Sequence, residues 1–311
     1  MRGVTGADLR GVRETRLEEV ADGVYAFVQP DGGWCLSNAG VVPGRQFTLV
    51  VDTAATIKRT NLLRKEVDRL GNNSRQVVVN THQHGDHTFG NCVFAPQALF
   101  IAHETARGDI VKSGLGLQQL WPDVHWGEVH LTPPQITFTD RMTLHLDPGT
   151  VELLHPGPAH TTGDTVVWVP EQKVLFTGDI VMNGVTPFCL MGSVEGTLRV
   201  IQQLRALDPA VVVPGHGAVC GPEVFDTCTR YLRWVQRLAE DGISAELSPL
   251  EVARDTDLGE WSELIDAERL VPNLVRAYAE NRGGVLGEQI DEMGAFGHML
   301  EFHGGLPICH A

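Results

Sequence analysis

Residues 77–91 read Val77-Val78-Val79-Asn80-Thr81-His82-Gln83-His84-Gly85-Asp86-His87-Thr88-Phe89-Gly90-Asn91. Val77–Val79 is a short β-branched run, which reads as a buried strand. Directly beyond it, three histidines and one aspartate fall within the six positions 82–87. A strand end is rigid, and the loop beyond it can turn several side chains toward one point. His82 and His84 stand two apart, so on extended backbone they project to the same side. Beyond the flexible Gly85, Asp86 and His87 can face a second point nearby. Imidazole suits zinc, and a carboxylate adds a hard, anionic ligand for zinc, iron or manganese. The alternative is a polar loop whose histidines only form hydrogen bonds, and this density of ligand-type residues argues against it.

Outward from this stretch, short apolar runs recur, each ended by a turn residue: Val24–Val28, Phe47–Val51, Val151–Leu154, Thr165–Val169, Lys173–Phe176 and Val211–Val213. They read as buried strands. Helical patterns lie between and after them, at Lys58–Leu70, Glu104–Lys112, Gly196–Leu207 and Pro222–Asp241. Phe47–Val51 ends in Asp52, and the next strand runs into the His-rich loop. Lys173–Phe176 is followed by Asp179, and the next strand by Gly215-His216-Gly217. This echo suits two similar halves packed face to face, so the expected class is α/β, with two sheets between outer helices. After about Gly221 the strand signals stop. Ser248–Arg254 and Asp266–Glu280 look helical, while the Gly-rich Gly283–Ala311 resists assignment. The expected division is a core over residues 1–220 and a helical C-terminal extension over residues 221–311 packed on it.

Three more candidates follow turns rich in glycine: His160 in Gly157-Pro158-Ala159-His160, Asp179 after Phe176-Thr177-Gly178, and His216 after Pro214-Gly215. Glycine lets the backbone approach a metal closely and take turns that aim one side chain inward. Taken alone, each is as compatible with a structural role as with a ligand. In this order, after the first motif, they reinforce one another. Asp52 reads as a residue that orients ligands rather than a catalytic one. The aromatic stretch Trp121–Trp126, the apolar run Gly184–Ser193 and the turn at Trp34 are expected near the site. From them we take Trp34, Trp121, Trp126, Phe188, Met191 and Ser193 as candidate substrate-pocket residues. His145 and His155 read as structural, and His298, His303 and His310 as scattered surface histidines.

Composition narrows the function classes. The chain has 311 residues, 42% hydrophobic and 20% charged, which suits an ordinary globular protein with a sizeable core. A net charge of −15 opposes a nucleic-acid backbone or an anionic membrane, so neither is an expected partner. The cysteines are far apart without a CxxC pair, which suits free thiols in a reducing compartment. Met1–Val20 is charged and lacks the apolar core of a signal peptide, and no apolar run reaches membrane-spanning length, so a cytoplasmic location is expected.

The segment His82-Gln83-His84-Gly85-Asp86-His87 resembles the HxHxDH motif of the metallo-β-lactamase superfamily, and the resemblance extends over roughly Val20 to Pro222. It implies the αββα sandwich of that family and two zinc ions per chain. By it His82, His84 and His160 would hold one metal, Asp86, His87 and His216 the other, and Asp179 would bridge both. A bridging aspartate resembles the thioesterase, lactonase and phosphodiesterase branches, and together with the absent export signal it counts against β-lactam hydrolysis. Two such ions acidify a shared water and polarise a carbonyl or stabilise an enolate, and Asp86 is the expected catalytic residue that orders or deprotonates the nucleophile.

Outside the metal motif, Gln29–Cys35, Leu120–Asp123, Gly184–Ser193 and Leu270–Leu274 are similar to the second- and third-ring cyclases of aromatic polyketide pathways, the actinorhodin-type cyclases of this fold. That similarity implies a partly cyclised polyketide tethered to an acyl carrier protein, closed by aldol condensation and dehydration and released by thioester hydrolysis. A plain zinc hydrolase of thioesters or lactones is the alternative. A non-enzymatic binding or sensor protein is a third reading, against which the complete ligand set stands.

Overall fold

The computed structural model describes residues 15–71, 75–95 and 97–311. Most of the charged N-terminal segment read above lies outside the described residues. The first sheet has seven strands in sequence order: β1 (Arg16–Ala21), β2 (Val24–Val28), β3 (Ala39–Val42), β4 (Phe47–Val51), β5 (Arg75–Val79), β6 (Ala98–His103) and β7 (Ile136–Phe138). Pairing is antiparallel from β1 to β4 and parallel from β4 to β7. The second sheet has five: β8 (Arg141–His145), β9 (Thr150–Leu154), β10 (Val166–Val169), β11 (Val174–Gly178) and β12 (Val211–Pro214), mixed because only β11 and β12 run parallel.

Alternation along the strands makes the layers. In the first sheet Leu49, Val51, Val77, Val79 and Ile101 face the second sheet. Their neighbours Val50, Val78 and Phe100 face outward onto α1 (Ile57–Gly71) and α3 (Asn91–Phe94), where Leu63, Val67 and Phe94 cover them. In the second sheet Val167, Val169, Val174, Phe176 and Val213 face inward. Val166, Trp168, Leu175 and Val212 face outward, onto α5 (Val194–Ala206), α6 (Val224–Ser244) and α8 (Leu270–Asn281). The result is helices, sheet, sheet, helices. Both sheets contain a parallel pair joined by a crossover helix, β4-α1-β5 in the first and β11-α5-β12 in the second, which is the origin of the echo in the sequence.

Beyond α6, α7 (Pro249–Asp255) starts in a capping box in which Ser248 and Glu251 satisfy each other's backbone N–H. The segment that resists assignment from sequence holds a helix, α9 (Glu292–His303), started by Asp291 accepting from the Gly294 N–H at 2.9 Å. Gly294 and Gly297 inside it dilute the helical signal, because glycine costs about 1 kcal/mol per position relative to alanine. The tail beyond folds back over the core, where the Trp121 indole N–H donates to Pro307 O at 2.7 Å and Arg59 binds His310 O.

Candidate metal centre

The ligand-type residues of both halves meet at the strand ends. Asp52 follows β4, and Thr81 to His87 follow β5, with Asp86 and His87 in the short helix α2 (Gly85–Thr88). His160 lies between β9 and β10, Asp179 directly follows β11, and His216 follows β12. Glycine is required at Gly215: a Cβ there would sit 1.9 Å from Asp179 Oδ1, so its absence lets the carboxylate turn inward. Asp52 itself sits at φ 60°, a left-handed conformation that aspartate tolerates better than most residues.

Two groups form. His82, His84, His160 and Asp179 present ligand atoms within 4.8 Å of one another, as do Asp86, His87 and His216. His84 Nδ1 lies 3.1 Å from His82 Nε2 and 2.9 Å from His160 Nε2. Asp179 reaches both groups: Oδ2 is 3.8 Å from His82 Nε2 and 3.5 Å from His160 Nε2, and Oδ1 is 3.1 Å from His87 Nε2. His216 Nε2 is 3.2 Å from Asp86 Oδ2 and 3.4 Å from Asp179 Oδ2.

Whether these residues fit a metal pair is answered by the far side of each ring. His87 Nδ1 donates to Asp52 Oδ2 at 2.8 Å, His216 Nδ1 to Gly32 O at 2.9 Å, and His160 Nδ1 to Phe188 O. His82 Nδ1 faces Thr81 Oγ1 at 3.0 Å, and that hydroxyl already donates to Asp52 Oδ2 at 2.7 Å, so the ring donates to it. Assigned this way, each of these rings turns a lone pair inward once its inward nitrogen gives up any proton. His84 turns Nδ1 inward and places Nε2 3.0 Å from Met191 Sδ. His87 Nε2 and Asp179 Oδ1 are buried and have no hydrogen-bond partner among the described residues. Converging lone pairs and orphaned buried acceptors are what a cation satisfies, so the donor set fits two divalent ions. Asp52 serves both groups, holding His87 directly and His82 through Thr81.

Electrostatics divides the two groups. Burial, with help from neighbouring imidazoles, pushes His82 well below the usual imidazole range and His84 down to about 3. Burial lowers His160 as well. Burial also disfavours charge on His87 and His216, but the adjoining Asp179 and Asp86 carboxylates outweigh it. His87 is held well above its ordinary value and His216 at about 9. In return, against the upward push of burial, these imidazoles hold Asp86 and Asp179 below the carboxylate range. Without metal, protons on His87 and His216 stand where cations would.

A cavity of about 340 Å³ opens onto both groups, touching His84, Asp86, His160, Asp179 and His216. Of the expected pocket residues, Trp34, Phe188 and Met191 line it. Trp121, Trp126 and Ser193 do not. Trp121 is buried behind Trp34, their rings 5.4 Å apart, and Trp126 packs behind Phe89 while its N–H donates to Trp121 O at 3.1 Å. Ser193 is buried as the N-cap of α5, its hydroxyl accepting from the Gly196 N–H. The wall includes residues that sequence reasoning passed over: Cys35, Gln83, Met182 and Arg269, the Gly114–Leu120 stretch after α4 (Glu104–Ser113), and Met293 and Phe296 from α9. Arg269 stacks on Trp34, its guanidinium carbon 4.1 Å from the ring centroid, and binds Asp266 Oδ2 at 2.7 Å. Of the remaining histidines, His145, His298, His303 and His310 are exposed, while His155 stacks on His103 at 3.8 Å and hydrogen-bonds Asp164 O.

A family profile described as the metallo-beta-lactamase superfamily matches residues 32–216, more than half of the chain and the whole of the ligand set. The chain belongs to this superfamily. Among curated relatives, the 2,4-dinitroanisole O-demethylase subunit alpha of Nocardioides sp. (strain JS1661) is 29% identical over 145 residues, 45% of this chain and 39% of the relative. The type 2 metallo-beta-lactamase of Bacteroides fragilis is 24% identical over 68% of this chain and 82% of its own. An atrochrysone carboxyl ACP thioesterase of Aspergillus fumigatus is 29% identical over 46% of this chain and 28% of its own. The chain thus spans well under half of the first and third of these relatives. The solved metallo-beta-lactamase from Pontibacter korlensis matches with a TM-score of 0.60 at 20% identity, over 71% of this chain and 99% of that one, which establishes the superfamily's fold. All six cysteines are free thiols, and no helix among the described residues is long and apolar enough to cross a membrane.

Proposed function

We propose that this superfamily member is a dinuclear zinc enzyme of the cytoplasm that acts on an aromatic polyketide intermediate tethered to an acyl carrier protein, promoting aldol closure with dehydration and hydrolysing the thioester. The observation that carries the reading is the cavity itself: both ligand groups, joined by Asp179, form one side, and Trp34, Phe89, Phe188 and Phe296 form an aromatic wall on the others. Such a space suits a flat, apolar acyl head. The partial resemblance to a fungal ACP thioesterase supports thioester chemistry on carrier-bound compounds.

Two zinc ions held there supply an acidified water and polarisation of a carbonyl. The chain's own residues do the rest. Asp179 and Asp86 stand between the two groups, and Asp86, which lines the cavity, is placed to take a proton from the attacking water. Phe188, whose carbonyl holds His160, also presents its ring to the cavity, so one residue couples ligand orientation to the shape of the wall. An apolar wall excludes bulk water and keeps enolate carbon and carbonyl within reach of each other, which is where ring closure gains its rate. Thioester hydrolysis forms the acid C–O bond as the C–S bond breaks, the thiol leaving with a proton.

The test is mass spectrometry of the products from a carrier-bound polyketide, with metal-loaded protein and after chelation, alongside a β-lactam and a simple lactone. A ring-closed aromatic product that vanishes on chelation is expected. Release of only the uncyclised acid would establish the plain thioesterase instead. Turnover of either small substrate with the polyketide untouched would refute the reading.

A further inference from the structure

A second chamber, of about 210 Å³, adjoins the metal cavity and shares Gln83, Ser113 and Met191 with it. Its character is opposite. Where the metal cavity is walled by aromatic and apolar side chains, this chamber is bordered by Lys112, Asp109, Glu292 and Gln289. It lies between the end of α4 and the segment leading into α9. Gln83 stands at the junction, on a loop position whose two neighbours, His82 and His84, belong to the metal centre.

The Gln83 side chain is 8% exposed, yet its carboxamide is almost unused. Oε1 has no hydrogen-bond partner among the described residues, and Nε2 has a long contact of 3.9 Å to Met191 Sδ. A buried amide left unpaired is costly, and exchanging its O and N ends does not help, because a thioether satisfies neither. The partner that Oε1 lacks is an N–H donor such as a secondary amide, which, being trans, points its N–H and its carbonyl in opposite directions and so pairs one end of the carboxamide. Leucine or methionine would fill the same space without this cost, so the amide points to a ligand rather than to packing.

We propose that the polar chamber holds the amide-bearing arm of a pantetheine-type thioester, with the Gln83 carboxamide pairing an arm amide. Met191 marks the threshold between arm and acyl head. The assignment rests on the thioester reading above and gives it a direction of entry. In a pantetheine thioester the first amide follows the sulfur after a short methylene spacer. A thioester carbonyl at the metal centre therefore brings that amide to the residue beside the ligands. A substrate apolar at one end and amide-rich at the other fills both chambers, whereas a β-lactam or simple lactone has no use for the second. Asp109, Glu288 and Glu292 border the chamber beside Lys112 and Arg276, so its charges nearly balance, and a carrier protein and coenzyme A as the arm's source are told apart by the affinities of the pantetheine and coenzyme A thioethers.

Binding of non-hydrolysable thioethers to the metal-loaded protein, measured by calorimetry, tests this directly. A naphthylmethyl pantetheine thioether is expected to bind at least roughly tenfold tighter than the ethyl thioether with the same head, the worth of one buried hydrogen bond. Gln83→Met should erase most of that ratio. Lys112 is exposed and borders the polar chamber but not the metal cavity, so Lys112→Trp narrows the chamber from the surface without touching the core and should reduce the ratio too. Equal affinities for the two thioethers in the wild type, or a ratio that survives both variants, would overturn the arm site. Weaker binding of the coenzyme A thioether than of the pantetheine one identifies a carrier protein as the source, and equal or tighter binding identifies coenzyme A. Hydrolysis of the matching thioester is followed separately. Its absence beside a preserved thioether ratio would sink the enzymatic reading alone, and its presence beside equal affinities would sink the arm site alone.

Discussion

The two ligand groups are expected to take up metal with opposite dependence on pH. In the metal-free chain His82, His84 and His160 are depressed, so at neutral pH their inward nitrogens are free to bind. His87 is raised well above the imidazole range and His216 sits at about 9, so both carry a second proton that a cation must displace. Below its pKa each such proton weakens binding tenfold per pH unit, 1.36 kcal/mol at a time. For His216 alone, the two units between about 9 and pH 7 amount to about 2.7 kcal/mol, or roughly 100-fold in affinity. Log K for the Asp86, His87 and His216 group should therefore rise by about 1 per pH unit from pH 6 to 8 through His216 alone, more steeply with the raised His87 added, and flatten as pH passes about 9. The His82, His84 and His160 group should stay nearly flat. Zinc competition against a chromophoric chelator at several pH values resolves the two slopes, and calorimetry in buffers of different ionisation enthalpy counts the protons released. Equal slopes at the two sites, or zinc uptake without proton release, would refute this reasoning.

Asp179→Asn keeps the size of the side chain but removes the charge both groups share, so the protein should stay folded while losing the second zinc and roughly 100-fold or more of its turnover; zinc content and rate measured together check this. Asp52→Asn weakens the hold on His87 directly and on His82 through Thr81, so zinc affinity should fall about 10- to 100-fold at both groups rather than one, read from the same chelator titration. Phe188→Ala enlarges the cavity and should change the distribution of cyclised products, seen by chromatography, with zinc content kept, since it is the backbone carbonyl that holds His160. Trp121→Ala should act differently, costing about 3–5 kcal/mol of stability in denaturant titrations and freeing the C-terminal tail to proteolysis, because its indole is buried and anchors Pro307 O.

The layers of the fold were legible where apolar runs were short, dense and bounded, as at Val77–Val79 and Val211–Val213. The strands that passed unread have physical reasons for it. β8 alternates exposed and half-buried side chains, and β3 is a four-residue run that includes Gly40. In β6 buried residues lie on both faces, so its apolar run lacks the alternation that marks a strand. The ligand set was legible for the opposite reason. Histidines and aspartates at strand ends leave a chemical signature independent of packing, and the backbone turn each requires is marked by a neighbouring glycine such as Gly215.

The walls of the cavity carry no such signature. Trp34 and Trp121 are equally aromatic in sequence, and only the packing of the chain decides that one faces the cavity while the other supports it from behind. Ser193 stands two residues beyond a lining residue, Met191, yet its hydroxyl is spent on the first turn of α5. Met293 and Phe296 reach the cavity from a glycine-diluted helix more than a hundred residues beyond His160, so no local pattern could place them there. Gln83 is the instructive case, since it stands inside the most readable motif of the chain at a position the metal does not constrain. Ligand spacing fixes its neighbours and says nothing about it. Its meaning appears only when burial and an unused carboxamide coincide at the boundary of two chambers. Candidate metal ligands are thus betrayed by type and spacing, whereas candidates for selecting a substrate are betrayed by an unmet physical need in the folded chain.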